Sequence, residues 1–186
     1  MTAPQELRTP RLLLRSFESG DIPAIVRLAG AKEVAGTTVH IPHPYITADA
    51  EDFIARMEAE YRQGSVAGFA ITLANSREFC GACGLHLAPL QQRAELGYWI
   101  GVPYWGRGLA TEAARAVVEF GFYTLGLHRI HASHFAANRA SGRVLQKIGM
   151  RHEGCSREHL MKWGQFVDLE NYGLLVGEFQ SGAGEM

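Results

Sequence analysis

The sequence has little of what marks the specialised protein classes. No apolar run approaches the roughly 18 residues needed to span a bilayer, so no membrane partner is expected. Neither sign of charge is in excess, because 18 lysines and arginines meet 19 aspartates and glutamates for a formal net charge of −1. Such a balance projects no field toward nucleic acid or an anionic surface, and the basic stripe of a nucleic-acid binder is missing. Cysteine is scarce: three residues, an odd number, argue against a disulfide framework. Repeats, low-complexity tracts and linkers are also missing. The opening stretch MTAPQELRTPRLLLRSF does not read as a signal peptide, since its leucine run is short and flanked by arginines. These absences lead us to expect a cytoplasmic protein.

What remains is ordinary globular material, 47% apolar and 20% charged over 186 residues. That length holds one domain with a real core, and two would be cramped. Residues 1–186 are therefore expected to form a single domain, with the first and last few residues disordered. Cys80 and Cys83 form a C-x-x-C, but a structural zinc site needs four ligands and a redox pair wants a helix N-terminus. The run FCGACGLHL is apolar and glycine-broken, and it reads as a strand with small buried residues. Eight histidines make no ligand set. His128, His131 and His134 recur every three residues along a strand, so neighbours face opposite sides, and no metal is expected.

Hydrophobic periodicity orders the chain. Residues 11–17 read as an opening strand, followed by a helix capped by Asp21 with Pro23 in its first turn. The stretch GTTVHIPHPYIT is a loop, stiffened by Pro42 and Pro44, after which Thr47 is placed to cap a helix bearing Phe53, Ile54, Met57 and Tyr61 on one face. Strands follow at 68–73, 79–87 and 94–102, and a long helix runs from Glu112 to Leu125 with Ala114, Val117, Val118, Gly121 and Leu125 in its stripe. A strand at 129–134, a helix from Arg139 to Ile148 stopped by Gly149, and two strands meeting near Gly164 complete an α+β domain.

The most informative residues lie between the strand at 94–102 and the long helix: Gly106-Arg107-Gly108-Leu109-Ala110-Thr111. Two glycines let a ligand approach the backbone, and unpaired N–H groups at a helix start make an anion-binding concavity suited to pyrophosphate. No Gly-Lys-Ser/Thr follows, which excludes a P-loop, and Thr111 stands where a dinucleotide fold wants its third glycine. Taken alone, a tight connection would have the same residues.

The pattern extends further. Ala94-Glu95-Leu96-Gly97-Tyr98-Trp99-Ile100 precedes the turn, Ala110-Thr111-Glu112-Ala113 follows it, and Asn138-x-x-Ser141-x-x-x-Leu145-x-Lys147-x-Gly149 comes later. With Glu153-Gly154, Asp168 and Leu174-Leu175, these motifs resemble the RimJ/RimL-type branch of the GNAT superfamily of N-acetyltransferases over residues 7–176. The superfamily often has Gln or Arg where this chain has Trp105, and Phe where it has Met150; backbone binding does not need the first, and the second conserves volume.

The resemblance implies a mixed, mainly antiparallel sheet with splayed central strands flanked by helices, and acetyl-CoA as co-substrate without a metal. Backbone groups of Ile100, Gly101 and Val102 would hold the pantetheine arm. Gly106, Arg107, Gly108, Leu109, Ala110 and Thr111 would hold the pyrophosphate, and Asn138 and Ser141 would meet the coenzyme near its sulfur. Glu95 is the candidate general base, or else a solvated strand residue or an arginine's partner; His134 stands in reserve. Ser141 either protonates the leaving thiolate or only touches the coenzyme. His40, His43 and Tyr45, with the turn at 162–166, are placed at the amine entrance, although Tyr45 could instead pack under the following helix. An α-amine of pKa about 8 costs about 1.4 kcal/mol to neutralise at pH 7 and a lysine about 4.6, which favours a protein N-terminus over other primary amines. The rival is a non-catalytic acyl-CoA sensor or scaffold; Glu95 together with Ser141 favours the enzyme, as monomer or homodimer.

Overall fold

The computed structural model describes residues 6–180. The expected disorder of the chain ends falls outside the described residues. In chain order the elements are β1 (Leu7–Arg8), β2 (Leu12–Arg15), α1 (Ile22–Ala29), α2 (Lys32–Ala35), α3 (Thr47–Gln63), β3 (Val66–Leu73), β4 (Phe79–Ala88), β5 (Arg93–Ile100), α4 (Leu109–Tyr123), β6 (Arg129–Phe135), α5 (Arg139–Lys147), β7 (Arg151–Lys162) and β8 (Gln165–Leu175). The fold is α+β, as expected.

Eight strands make one sheet in the order β1-β2-β3-β4-β5-β6-β8-β7. Every neighbouring pair is antiparallel except β5 and β6. α1 and α3 pack on one face, and α4 and α5 on the other. The α4 stripe of Ala113, Ala114, Val117, Val118 and Phe122 is buried against the sheet, where Leu85 and Ile130 are fully covered. Each large aliphatic side chain so buried contributes about 1.5–3 kcal/mol. Leu125, expected in that stripe, lies past the helix end and is 38% exposed. No helix among the described residues is long and apolar enough to cross a membrane.

Two expected helix caps are corrected. Asp21 does not cap α1: its carboxylate accepts from the Glu18 N–H at 2.9 Å and from the Arg15 guanidinium at 2.8 Å. Thr47 is the first residue of α3 and caps nothing; Asp49 instead reaches back to the Ile46 N–H at 2.8 Å. In both cases a carboxylate reaches back three positions to the N–H of an extended residue: Asp21 turns away from α1 toward Glu18, and Asp49 acts where Thr47 was expected to. Gly149, at φ +94°, ends α5 as expected.

The feature that positions the site is the junction of β5 and β6. They pair only at Arg93–Arg129, Ala94–Ile130 and Glu95–His131. Beyond that, β5 stays on β4 as far as Ile100 and β6 stays on β8 as far as Phe135. The two strands therefore diverge and leave a V-shaped gap in the middle of the sheet.

Candidate active site

Backbone alternation decides which groups of β5 face the gap. The Gly101 N–H donates to the Cys80 carbonyl of β4 at 2.9 Å, and the Gln92 carbonyl accepts from His128 on the opposite side. Even-numbered residues, Tyr98 and Ile100 among them, thus turn their N–H and C=O toward the gap. This corrects the expectation for Gly101, whose two backbone groups are taken by Cys80 and Tyr104. The Ile100 carbonyl accepts from the Trp105 indole at 2.6 Å, and the Val102 carbonyl from the Trp105 N–H at 3.1 Å. Among the described residues, the groups that β5 keeps free toward the open part of the gap include both backbone groups of Tyr98 and the N–H of Ile100.

Beneath the open end lies the glycine turn. Gly106 has φ +74° and Gly108 φ +77°, a region that side-chain-bearing residues avoid. The first intrahelical bond of α4 runs from the Glu112 N–H to the Gly108 carbonyl at 3.1 Å. Leu109, Ala110 and Thr111 therefore have unpaired N–H groups, and among the described residues those of Gly106, Arg107 and Gly108 find no acceptor either. The residues present fit a diphosphate. Arg107 is exposed and lies over the Tyr104 ring at 5.8 Å.

A second arginine, which sequence reasoning missed, meets this turn from the β1–β2 connection. Arg11 Nη1 donates to the Arg107 carbonyl at 2.9 Å, and its Nε donates to Glu112 at 2.6 Å. Glu112 also accepts from the Thr9 hydroxyl and the Arg11 N–H. Burial pushes its carboxyl up, but these hydrogen bonds and the Arg11 charge outweigh that and hold it below the usual carboxylate range.

The candidate catalytic side chains sit on opposite faces of the sheet. Glu95 is exposed on the α1 and α3 face, between its cross-strand neighbours His86 and His131. Among the described residues it has no hydrogen bond or ion pair, so it is no arginine's partner. Tyr98, three positions on, points to the other face and crosses to α5. Its hydroxyl lies 2.7 Å from Ser141 Oγ and donates to the Ser141 carbonyl at 3.1 Å. Burial pushes the phenol well above its ordinary range, and the Ser141 bond only partly offsets this, so the group is protonated at neutral pH. Asn138 caps α5, its Oδ1 accepting from the Ser141 N–H at 3.2 Å. The Tyr98–Ser141 bond spans 43 positions and has no local sequence signal.

His134 points to the α5 face of β6, away from Glu95. On the entrance side the expected residues do lie together. Tyr45 is half-buried, packs on Gly30 and donates to the Asp49 carbonyl at 3.2 Å; burial pushes its phenol up to about 12. That is the packing alternative. His43 is exposed, with Nδ1 3.0 Å from the Gly30 carbonyl, and His40 is exposed with no partner among the described residues. The β7–β8 tip reaches this loop: Lys162 Nζ donates to the Ile41 carbonyl at 3.0 Å and Trp163 lies on Gly36. Cys80 and Cys83 are buried, unpaired strand residues. Burial first, and Glu78 second, push the Cys80 thiol up to about 12, so it is inert. Among the described residues no three His, Cys, Asp or Glu side chains converge on a metal position.

A splayed parallel strand pair over a glycine turn at a helix start makes a site for an extended ligand that ends in a phosphate group. Residues 11–151 match the acetyltransferase (GNAT) domain family, and the chain belongs to that family of acetyltransferases. It is similar to the uncharacterized N-acetyltransferase YoaA of Bacillus subtilis (strain 168), with 33% identity over 91% of this chain and 96% of that one. The ribosomal protein uS5 alanine N-acetyltransferase of Escherichia coli (strain K12) is 30% identical across 58% of this chain and 57% of its own. Among solved structures, Mycobacterium smegmatis RimJ in complex with CoA-disulfide superimposes with a TM-score of 0.84 at 25% identity, over 96% of this chain and 90% of that one.

Proposed function

We propose that the protein transfers acetyl from acetyl-CoA to the α-amine of a protein N-terminus. The observation that carries this reading is the gap itself, with a carboxylate on one face and a protonated hydroxyl pair on the other. The Tyr98 and Ile100 backbone groups hold the pantetheine arm, and the unpaired amides from Gly106 to Thr111 hold the pyrophosphate. Acetyl-CoA supplies an activated acyl carbon on a leaving thiolate. Glu95, directly or through a water, takes the proton that the amine nitrogen loses as it bonds to the acyl carbon. As the carbon–sulfur bond breaks, the Ser141 hydroxyl, held by Tyr98 at 2.7 Å, gives its proton to sulfur and regains one from solvent, to which Glu95 returns the amine's proton. Proton removal and proton delivery are thereby kept on opposite sides of the sheet.

The α-amine is favoured because one exposed carboxylate suits an amine of pKa near 8, which costs about 3 kcal/mol less to neutralise than lysine. The relative acting on ribosomal protein uS5 alanine supports the same class. The test is thiol release from acetyl-CoA with peptides bearing a free α-amine, the same peptides N-terminally blocked but carrying lysine, and a polyamine. Release with the first set alone is expected. Release with the polyamine alone would move the acceptor to small amines. Tight acetyl-CoA binding with no turnover on any amine would make the protein a sensor.

A further inference from the structure

On the far side of α5 the sheet and helix enclose a cleft of about 430 Å³ that the transfer reaction does not use. At 3.6 residues per turn, Arg139, Gly142, Arg143 and Gln146 form one stripe of α5. Asn138, Ser141 and Leu145 form another, turned away by roughly 100°. The first stripe lines the cleft, and Glu170 and Tyr172 of β8 form the opposite wall. His134 makes the floor. It is 8% exposed, and its Nε2 is a buried nitrogen without any hydrogen-bond partner among the described residues.

The tautomer follows from the one bond the ring makes. His134 Nδ1 lies 2.8 Å from the Phe135 carbonyl, which can only accept, so Nδ1 carries the proton. In the neutral ring Nε2 is then a bare acceptor aimed beneath Gly142, where a Cβ would come within 2.7 Å of it. A buried acceptor left without a donor loses its hydration for nothing in return, and natural proteins seldom leave one so without purpose. At the mouth, Arg139 and Arg143 are exposed and have no carboxylate partner among the described residues. Glu170 is already engaged by the His152 ring. The cleft thus offers unspent positive charge outside and an unspent acceptor inside.

We propose that this cleft is a second ligand site, taking a small molecule with a carboxylate or phosphate for the two guanidiniums and a hydroxyl or amine donor for His134 Nε2. Because α5 also carries Asn138 and Ser141, an occupant braces the helix that holds the Tyr98–Ser141 pair.

Malate and succinate separate the two contacts, since they share both carboxylates and only malate has a hydroxyl; inorganic phosphate reports the anion contact alone. Calorimetry on the full chain saturated with coenzyme A is expected to show saturable binding of malate, at least about fivefold tighter than succinate. Arg139→Glu with Arg143→Glu should weaken malate tenfold or more while acetyl-CoA affinity stays at the wild-type value. His134→Phe, checked for folding by its thermal transition, should bring malate down to succinate. Should this variant not fold, the malate-to-succinate ratio in the wild type still decides the donor contact. Equal binding of malate, succinate and phosphate would mean attraction to the helix surface only and would overturn the two-point site. So would failure of all three to saturate at millimolar concentration, or malate binding unaffected by the arginine substitutions.

Discussion

The Tyr98 hydroxyl, in the mechanism proposed above, holds the serine that gives its proton to sulfur. A phenol buried against α5 keeps its proton at any pH near neutral, and its one strong contact is the Ser141 hydroxyl. Ser141→Ala is expected to lower kcat by about 10- to 100-fold, and Tyr98→Phe by a comparable factor, with coenzyme affinity unchanged. If Tyr98 only packs, its phenylalanine variant will keep kcat and lose thermal stability instead. Glu95→Gln keeps the shape and removes the basicity, so kcat should fall about 10²-fold with the acetyl-CoA Kd unaltered. Wild-type turnover in that variant at pH 7 would demote Glu95. The motifs single out Glu95 and Ser141 as candidates, but nothing in the motif that holds Tyr98 says that its hydroxyl reaches Ser141, 43 positions on. Arg11 was hidden for the same reason, as its contacts at Glu112 lie 101 positions on.

Among the elements, the junction of the glycine turn with α4 joins geometry to charge. Gly108 has φ +77° with room around its Cβ position, the nearest atom being an Arg11 nitrogen at 3.5 Å, so a side chain there fails through backbone strain rather than crowding. Gly108→Val should weaken acetyl-CoA binding about tenfold or more in a protein that still folds. Unchanged affinity by calorimetry would remove the pyrophosphate from this turn. Glu112 holds the same junction from below. Its folded-state pKa is depressed, so its bonds to Thr9 and Arg11 add stability that is fully present above the unfolded pKa, near 4.3, and lost as pH falls through the lower folded value. Glu112→Gln should therefore cost about 2 kcal/mol at pH 7, or roughly 4–8 °C in Tm. The difference from wild type should narrow below about pH 4 and close on further acidification. A gap that persists into acid would show that the glutamate acts by shape and not by charge. Apart from the two-residue β1 and the single-turn α2, which the pattern did not reveal, strands and helices were readable to within a few residues because their periodicities are strong, but the two caps were not. Asp21 and Asp49 each reach back three positions to an upstream N–H, a choice of partner that periodicity does not record.

Across the whole molecule, segments distant in sequence close the acceptor side. The loop at 36–46 belongs to the first third of the chain and the β7–β8 tip to the last, and they touch through Lys162–Ile41 and Trp163–Gly36. Trp163→Ala should raise the KM for the amine severalfold and leave both kcat and coenzyme affinity unchanged, because it removes a wall and no reacting group. An unaltered KM would place the entrance elsewhere. The sequence motifs implied the sheet and its splay, yet the meeting of these two segments needed the strand order, which local pattern does not encode. The splay has a thermodynamic consequence as well. Strands β1–β5 form one sheet half and β6, β8 and β7 the other, joined in the ladder by three residue pairs. A pantetheine arm bonded along β5 would behave as a missing rung of the native state, so folding and coenzyme supply become one linked equilibrium. At a hundredfold excess over Kd that linkage is worth about 2.7 kcal/mol. The amides of Tyr98 and Ile100 would be the ones whose exchange with solvent slows as coenzyme is added, so their protection would read out occupancy of the gap.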